Sequence, residues 1–169
     1  MNIITIELLA KIKEHYRLGW MGTHGIIHWH RVYQNGIRLS TQDGVNARVV
    51  QLFSIFHDSQ RKNEHWDRKH GKRGAELVIK LRKYMPLNDD EFDLLTTACE
   101  LHTNILDHED ITVKACFDSD RLDLGRVGIY PDPDRLCTPM AKDKSMIEWA
   151  YKRSRNEKEL PDQAFGLAG

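Results

Sequence analysis

Phe53-Ser54-Ile55-Phe56-His57-Asp58-Ser59-Gln60-Arg61 is the stretch on which the reading of this chain turns. An apolar run ends in an adjacent His-Asp pair, and Arg61 follows one helical turn after Asp58 if the helix continues. A His-Asp dipeptide is common by chance, so its weight comes from what surrounds it. His24 and His28 lie upstream, in Thr23-His24-Gly25-Ile26-Ile27-His28-Trp29-His30. Downstream come His70 in His70-Gly71-Lys72-Arg73-Gly74-Ala75, His102 in Ala98-Cys99-Glu100-Leu101-His102-Thr103, and two aspartates in Asp118-Ser119-Asp120-Arg121-Leu122-Asp123. The order is His, His-Asp, His, His, Asp. Nine histidines are many for 169 residues, and five of them fall between His15 and His57.

Composition narrows the class. The length suits one domain, expected over 1–155, with 156–169 as a fraying C-terminal tail. Basic and acidic residues cancel, 25 against 25, whereas a protein that grips duplex nucleic acid through charge shows a basic excess. A nucleic-acid partner is therefore not indicated, although a local basic patch can sit inside a balanced total. Cys99, Cys116 and Cys137 form no C-x-x-C pair, so neither a disulfide framework nor a thiolate zinc site is indicated. No run approaches the ~20 apolar residues that span a bilayer, and the N-terminus lacks a basic leader. The expectation is a cytoplasmic protein with no membrane partner.

Helical spacing recurs along the chain, and strand-like alternation appears nowhere; the class is all-α. Ile3–Tyr16 reads as an amphipathic helix. Gly19, Gly22 and Gly25 then form a loop leading to a helix over His28–Asn35, with Gly36 as its stop signal. Val45–Asp58 reads as a largely buried helix, and 63–69 as an irregular polar segment. Further helices are expected over Gly74–Tyr84, Asp89–His102 (capped by Asn88), Ile111–Leu124 and Ser145–Arg155.

Imidazole and carboxylate donors together suit a divalent Mn, Fe, Co, Ni or Zn ion. Adjacent helical residues point about 100° apart, so His57 and Asp58 can reach one ion only near a helix end or with the ion between helices. His28 and Asp120, from two other helices, would complete a four-ligand set with open positions; His24 and Asp118 are the close alternatives. His15, His65 and His108 read as solvated or loop residues, and His30 as a pocket or structural histidine. A guanidinium suits a phosphoryl group, which makes Arg61 a candidate for gripping phosphate; a salt bridge to Glu64 or Asp67 is its alternative. Arg73 and Arg126 are weaker candidates for the same task.

Over roughly Leu18 to Ala141, this ordered series resembles the HD-domain superfamily of metal-dependent phosphohydrolases. The resemblance implies an HD-domain-like helical bundle with the metal site in its core. It implies one ion held by His28, His57, Asp58 and Asp120, Asp120 being favoured because Asp120-Arg121-Leu122-Asp123 is similar to the superfamily's closing motif. In binuclear members two more histidines join and the aspartate of the pair bridges the ions; His70 and His102 match those positions. His70-Gly71-Lys72-Arg73-Gly74-Ala75 is similar to a segment of HD-GYP phosphodiesterases, but Ile129-Tyr130-Pro131 does not reproduce their Gly-Tyr-Pro motif, so cyclic-dinucleotide specificity is not implied. Arg61 also departs from members that carry an acid or lysine there.

The function so implied is hydrolysis of a small phosphoester, a nucleotide among the candidates, by metal-activated water, with Asp58 catalytic and His24 protonating the leaving group. The same ligand order serves HD-type di-iron oxygenases, which stand as the alternative beside a non-enzymatic metal-containing sensor module. Homodimerisation is left open.

Overall fold

Helix α3, Ala47–Phe56, is the element around which the others pack, and its composition explains why. From Val49 to Phe56 every residue is buried, so the helix has no solvent face and requires neighbours on all sides. Asn46 starts it, its side-chain oxygen accepting the amides of Arg48 and Val49 at 3.0 and 3.3 Å. The helix stops at Phe56, so His57 and Asp58 emerge at its C-terminal end.

The structure is a computed structural model and describes residues 3–167. Among them the regular elements are all helical: α1 Ile6–His15, α2 Ile26–Leu39, α3, α4 His70–Lys80, α5 Asp89–Leu101, α6 Ile111–Arg121, α7 Pro139–Lys142 and α8 Lys144–Asn156. Short 3-10 turns occupy Arg82–Tyr84, Leu124–Val127, Pro133–Arg135 and Ala164–Gly166. Helices α2, α5 and α6 lie against α3, and α4 packs on α5. The core between them is built from Leu8, Trp29, Leu52, Phe53, Phe56, Leu95 and Phe117, all fully buried. Asn88 and Glu91 form the capping box that begins α5. The cysteines are free, and no described helix is long and apolar enough to cross a membrane.

Three sequence expectations are corrected. Gly36 does not stop α2, which runs on to Leu39. It marks a close approach instead: a Cβ there would lie 2.3 Å from Val50 Cγ1 of α3. Helix α4 begins at His70 rather than Gly74, so His70 has helical backbone beneath it. The expected fraying tail runs exposed over much of its length but is anchored near its end, where Ala164 and Phe165 are buried; its last two residues lie outside the described ones. Phe165 is 1% exposed. Its ring sits 5.2 Å from that of His30 and 5.5 Å from that of Tyr33. The polar run Asn156–Glu159 hid the apolar anchor behind it.

Gly36→Ala should destabilise the fold by about 1–3 kcal/mol, the usual cost of overpacking a filled contact. Adding Val50→Ala should recover part of that loss in chemical denaturation, because the two positions share one gap. Burial beneath Phe165, reinforced by Arg153, lowers the His30 pKa to about 4. Unfolded, the ring titrates at about 6.5. Between those values the unfolded chain takes up the proton and the folded one refuses it, so this contribution is complete above pH ~6.5 and lost as pH falls toward 4. His30→Gln should accordingly flatten the fall of Tm with pH across that window.

Candidate metal centre

The site is assembled from helix ends. His28 comes from the first turn of α2, His57 and Asp58 follow α3, and His70 opens α4. His102 follows α5 directly, and Asp120 lies in the last turn of α6. Gly71 lets α4 approach the end of α5, since a Cβ there would lie 2.6 Å from the Cys99 carbonyl oxygen and 3.2 Å from His102 Cε1.

Two groups of donors result, His28-His57-Asp120 and Asp58-His70-His102, each compact enough to hold a metal ion. In the first, the Nε2 atoms of His28 and His57 are 3.0 Å apart. Asp120 Oδ1 lies 3.4 and 3.6 Å from them. In the second, the Nε2 atoms of His70 and His102 are also 3.0 Å apart. Asp58 Oδ1 lies 3.0 Å from His70 Nε2 and 4.0 Å from that of His102. The other oxygen, Asp58 Oδ2, faces the first group, 3.5 Å from His28 Nε2 and 3.8 Å from His57 Nε2. One carboxylate therefore addresses both groups, an oxygen to each.

The opposite ring nitrogens fix the tautomers. His57 Nδ1 donates to the Ser54 carbonyl at 3.1 Å, His70 Nδ1 to that of Asp67 at 2.5 Å, and His102 Nδ1 to that of Cys99 at 2.8 Å. His28 Nδ1 donates to Asp123 Oδ2 at 2.7 Å. The nearest partner of each Nδ1 can only accept (for His70 the Asp67 carbonyl at 2.5 Å, against Arg61 Nη1 at 3.2 Å), so each Nδ1 carries the proton, and in the neutral ring Nε2 aims a lone pair inward. Two such lone pairs 3.0 Å apart repel unless a cation or proton lies between them. Asp120 Oδ1 is likewise buried without a hydrogen-bond donor. This donor chemistry fits a divalent ion in each group.

The buried charges of the cluster are set by one another. Burial disfavours the ionised form of Asp58 and Asp120, yet the surrounding imidazoles hold both carboxyls well below the usual range. Burial also opposes a charge on His57, but Asp58 and Asp120 outweigh it and raise its pKa. His102, deeply buried and facing His57 and His70, is pushed down to about 3.

The remaining candidates separate clearly. Asp118 points away and accepts from the Cys137 amide at 2.7 Å and from the amide and hydroxyl of Thr138 at 2.7 and 2.8 Å, so it is Asp120 that joins the histidines. His24 stands beside the cluster, its ring 6.3 Å from that of His28 and its Nδ1 paired with Glu64. Burial lowers its pKa. Arg61 is buried, with Nη1 3.5 Å from Asp58 Oδ1 and Nη2 donating to the His65 carbonyl at 2.6 Å; it pairs with neither Glu64 nor Asp67. Arg73 is held by Asp67 and by the Gln60 carbonyl, at 2.5 and 3.0 Å, outside the cluster. Arg126 lies close by, Nη2 3.9 Å from Asp120 Oδ1, with its Nε buried and without a partner.

Three contributors went unrecognised in the sequence. Asp123 orients His28, and Arg31 clamps Asp123 through contacts of 2.7 and 3.0 Å. Asp123 follows Asp120 by one turn, which was the available signal. Thr103, whose hydroxyl is 3.1 Å from His70 Nε2, carried no signal of its own.

No protein-family model matches the sequence, and no curated protein matches it significantly. Among solved structures the chain is similar to one described as a predicted HD superfamily hydrolase, from an uncultured Thermotogales bacterium. The two share 23% identity over 86% of this chain and 84% of that one, with a TM-score of 0.63. At that identity the likeness is one of fold. The architecture is an HD-domain-like helical bundle.

Asp123→Asn should weaken metal binding about 10–100-fold, the usual effect of losing a histidine's outer partner. A competitive chelator titration measures it. The variant should also lose about 3–5 kcal/mol of stability, because the buried Arg31 guanidinium is left without its counter-charge.

Proposed function

We propose that the protein is a metal-dependent phosphohydrolase acting on a small phosphoester. The observation that carries this reading is the division of Asp58 between two inward-facing histidine pairs. His28, His57 and Asp120 with Asp58 Oδ2 would hold one ion, and His70 and His102 with Asp58 Oδ1 a second. A divalent ion in such a site lowers the pKa of bound water and offsets charge developing on phosphoryl oxygens.

The chain's own groups supply the rest. Arg126 borders a cavity of about 300 Å³ that reaches His28, which places its guanidinium charge beside a phosphoryl group bound there. Arg61 borders a second cavity of about 300 Å³ that reaches His70. A larger one, about 590 Å³, begins at His102 and Thr103 and continues between Ile105, Leu106, Leu124 and Tyr130. Its apolar walls suit the organic part of a substrate and exclude water from it. His24, held by Glu64, is placed to relay a proton beside His28.

Metal content should be about two ions per chain, falling to about one in His70→Ala. Phosphate release from a panel of phosphoesters should vanish in Asp58→Ala. Retained turnover in that variant would remove Asp58 from the mechanism. Iron in the protein with substrate-dependent oxygen uptake and no phosphate release would replace hydrolysis by oxygenase chemistry.

A further inference from the structure

The loop between α3 and α4 has a feature that metal binding does not require. Arg61 to Arg73 contains six basic residues and two acidic ones in a chain of zero net charge. Both acids are consumed from within: Glu64 pairs with His24, and Asp67 pairs with Arg73 and accepts the Lys62 amide at 2.8 Å. What this segment presents to solvent is Lys62, Arg68, Lys69 and Lys72, together with His65 and Trp66. Trp66 is 79% exposed, more than any other large apolar side chain described, and the Arg68 guanidinium lies 5.5 Å from its ring centre.

The loop is built to hold this face outward. Arg61 fastens it through the carbonyls of Asn63 and His65, at 3.3 and 2.6 Å. Asn104 fastens it to the turn after α5 by donating to the Arg68 carbonyl at 3.3 Å. An indole 79% exposed buries little of its apolar surface in the fold. The cavity that Trp66, His65 and Arg68 line runs to His70, one of the cluster histidines.

We infer that this loop and the first turn of α4 form a binding surface for single-stranded nucleic acid, with a base stacked on Trp66 and phosphates along Arg68, Lys69, Lys62 and Lys72. An indole beside an arginine is the platform such strands use, since every base offers a π-face. Three of the four exposed cations, Lys62, Lys69 and Lys72, lie outside the cavity that reaches His70, so the charge continues past what one phosphate would use. That extension favours a strand over a mononucleotide. A duplex keeps its bases stacked on one another and offers none to Trp66. The inference rests on the hydrolase reading only for what becomes of the strand at the cluster.

The test is fluorescence polarisation of a labelled single-stranded 12-mer with the full chain, with Trp66→Ala, with the Arg68→Glu, Lys69→Glu pair, and with Lys144→Glu on α8 as a charge control. Binding by wild type should weaken with salt by about 0.7 logarithmic unit per phosphate contacted. Trp66→Ala should weaken it by about ten-fold or more. The charge-reversed pair should weaken it further and lower the salt slope, while Lys144→Glu leaves it unchanged. Unaltered thermal melts would show that the exposed substitutions leave the fold intact. Absence of binding, equal loss in Lys144→Glu, equal affinity for a duplex 12-mer, or displacement by an equal concentration of a mononucleotide would each overturn the inference. Because binding is read without turnover, a protein that binds the strand but hydrolyses neither it nor any phosphoester of the panel would sink the hydrolase reading and leave this surface standing.

Discussion

Four imidazole N–H groups anchored to fixed oxygens are the constraint on which the site depends. With Nδ1 committed, Nε2 of the neutral ring offers a lone pair, and the anchoring fixes where that lone pair points. The helix ends provide the anchoring for two of them. The last carbonyls of an α-helix lack intrahelical partners. His57 and His102 follow α3 and α5 directly and bend back to donate to such carbonyls, at Ser54 and Cys99. Helix termination and ligand orientation are one event at these positions.

The apolar core takes part in the same task. Phe53 stacks on His57 with ring centres 5.0 Å apart, and meets His102 edge-on at 5.7 Å. One core side chain thus supports a histidine of each group. This is why α3 carries no solvent face: a helix that could rotate toward water would carry His57 and Asp58 with it. The glycines complete the arrangement, Gly36 by letting α2 approach α3 and Gly71 by letting α4 approach the end of α5.

Much of this was legible in the residues. The helical class followed from periodicity, and the order of histidines and aspartates named the groups that the fold brings together. The choice between Asp118 and Asp120 was harder, because both lie on α6 and only packing sends Asp118 to the Cys137–Thr138 turn. Gly36 was misread because a glycine within a helix looks the same whether it ends the helix or admits a neighbour; the neighbour is 14 residues away at Val50. The anchored tail escaped for a related reason, since Phe165 finds His30 and Tyr33 only after the whole chain has folded. Local pattern reports local structure, and these errors all concern partners distant in sequence.

His28 shows why one ligand needs more support than the others. It lies in the first turn of α2, where the free backbone groups are N–H donors and no spare carbonyl faces the ring. His70 is also near a helix start, but as the first residue of α4 it can reach back to the Asp67 carbonyl. His28 is too far in for that and takes a side-chain carboxylate, Asp123, from beyond α6. A buried carboxylate then needs a counter-charge of its own, which Arg31 supplies through two nitrogens, and His28 and Arg31 together overcome burial to keep the Asp123 pKa low. The third Arg31 nitrogen donates to the Glu157 carbonyl at 2.9 Å, where the C-terminal segment begins. The end of the helix at which a histidine sits therefore decides how much of the fold is enlisted to hold it, and for His28 the chain of contacts extends to the residues after α8.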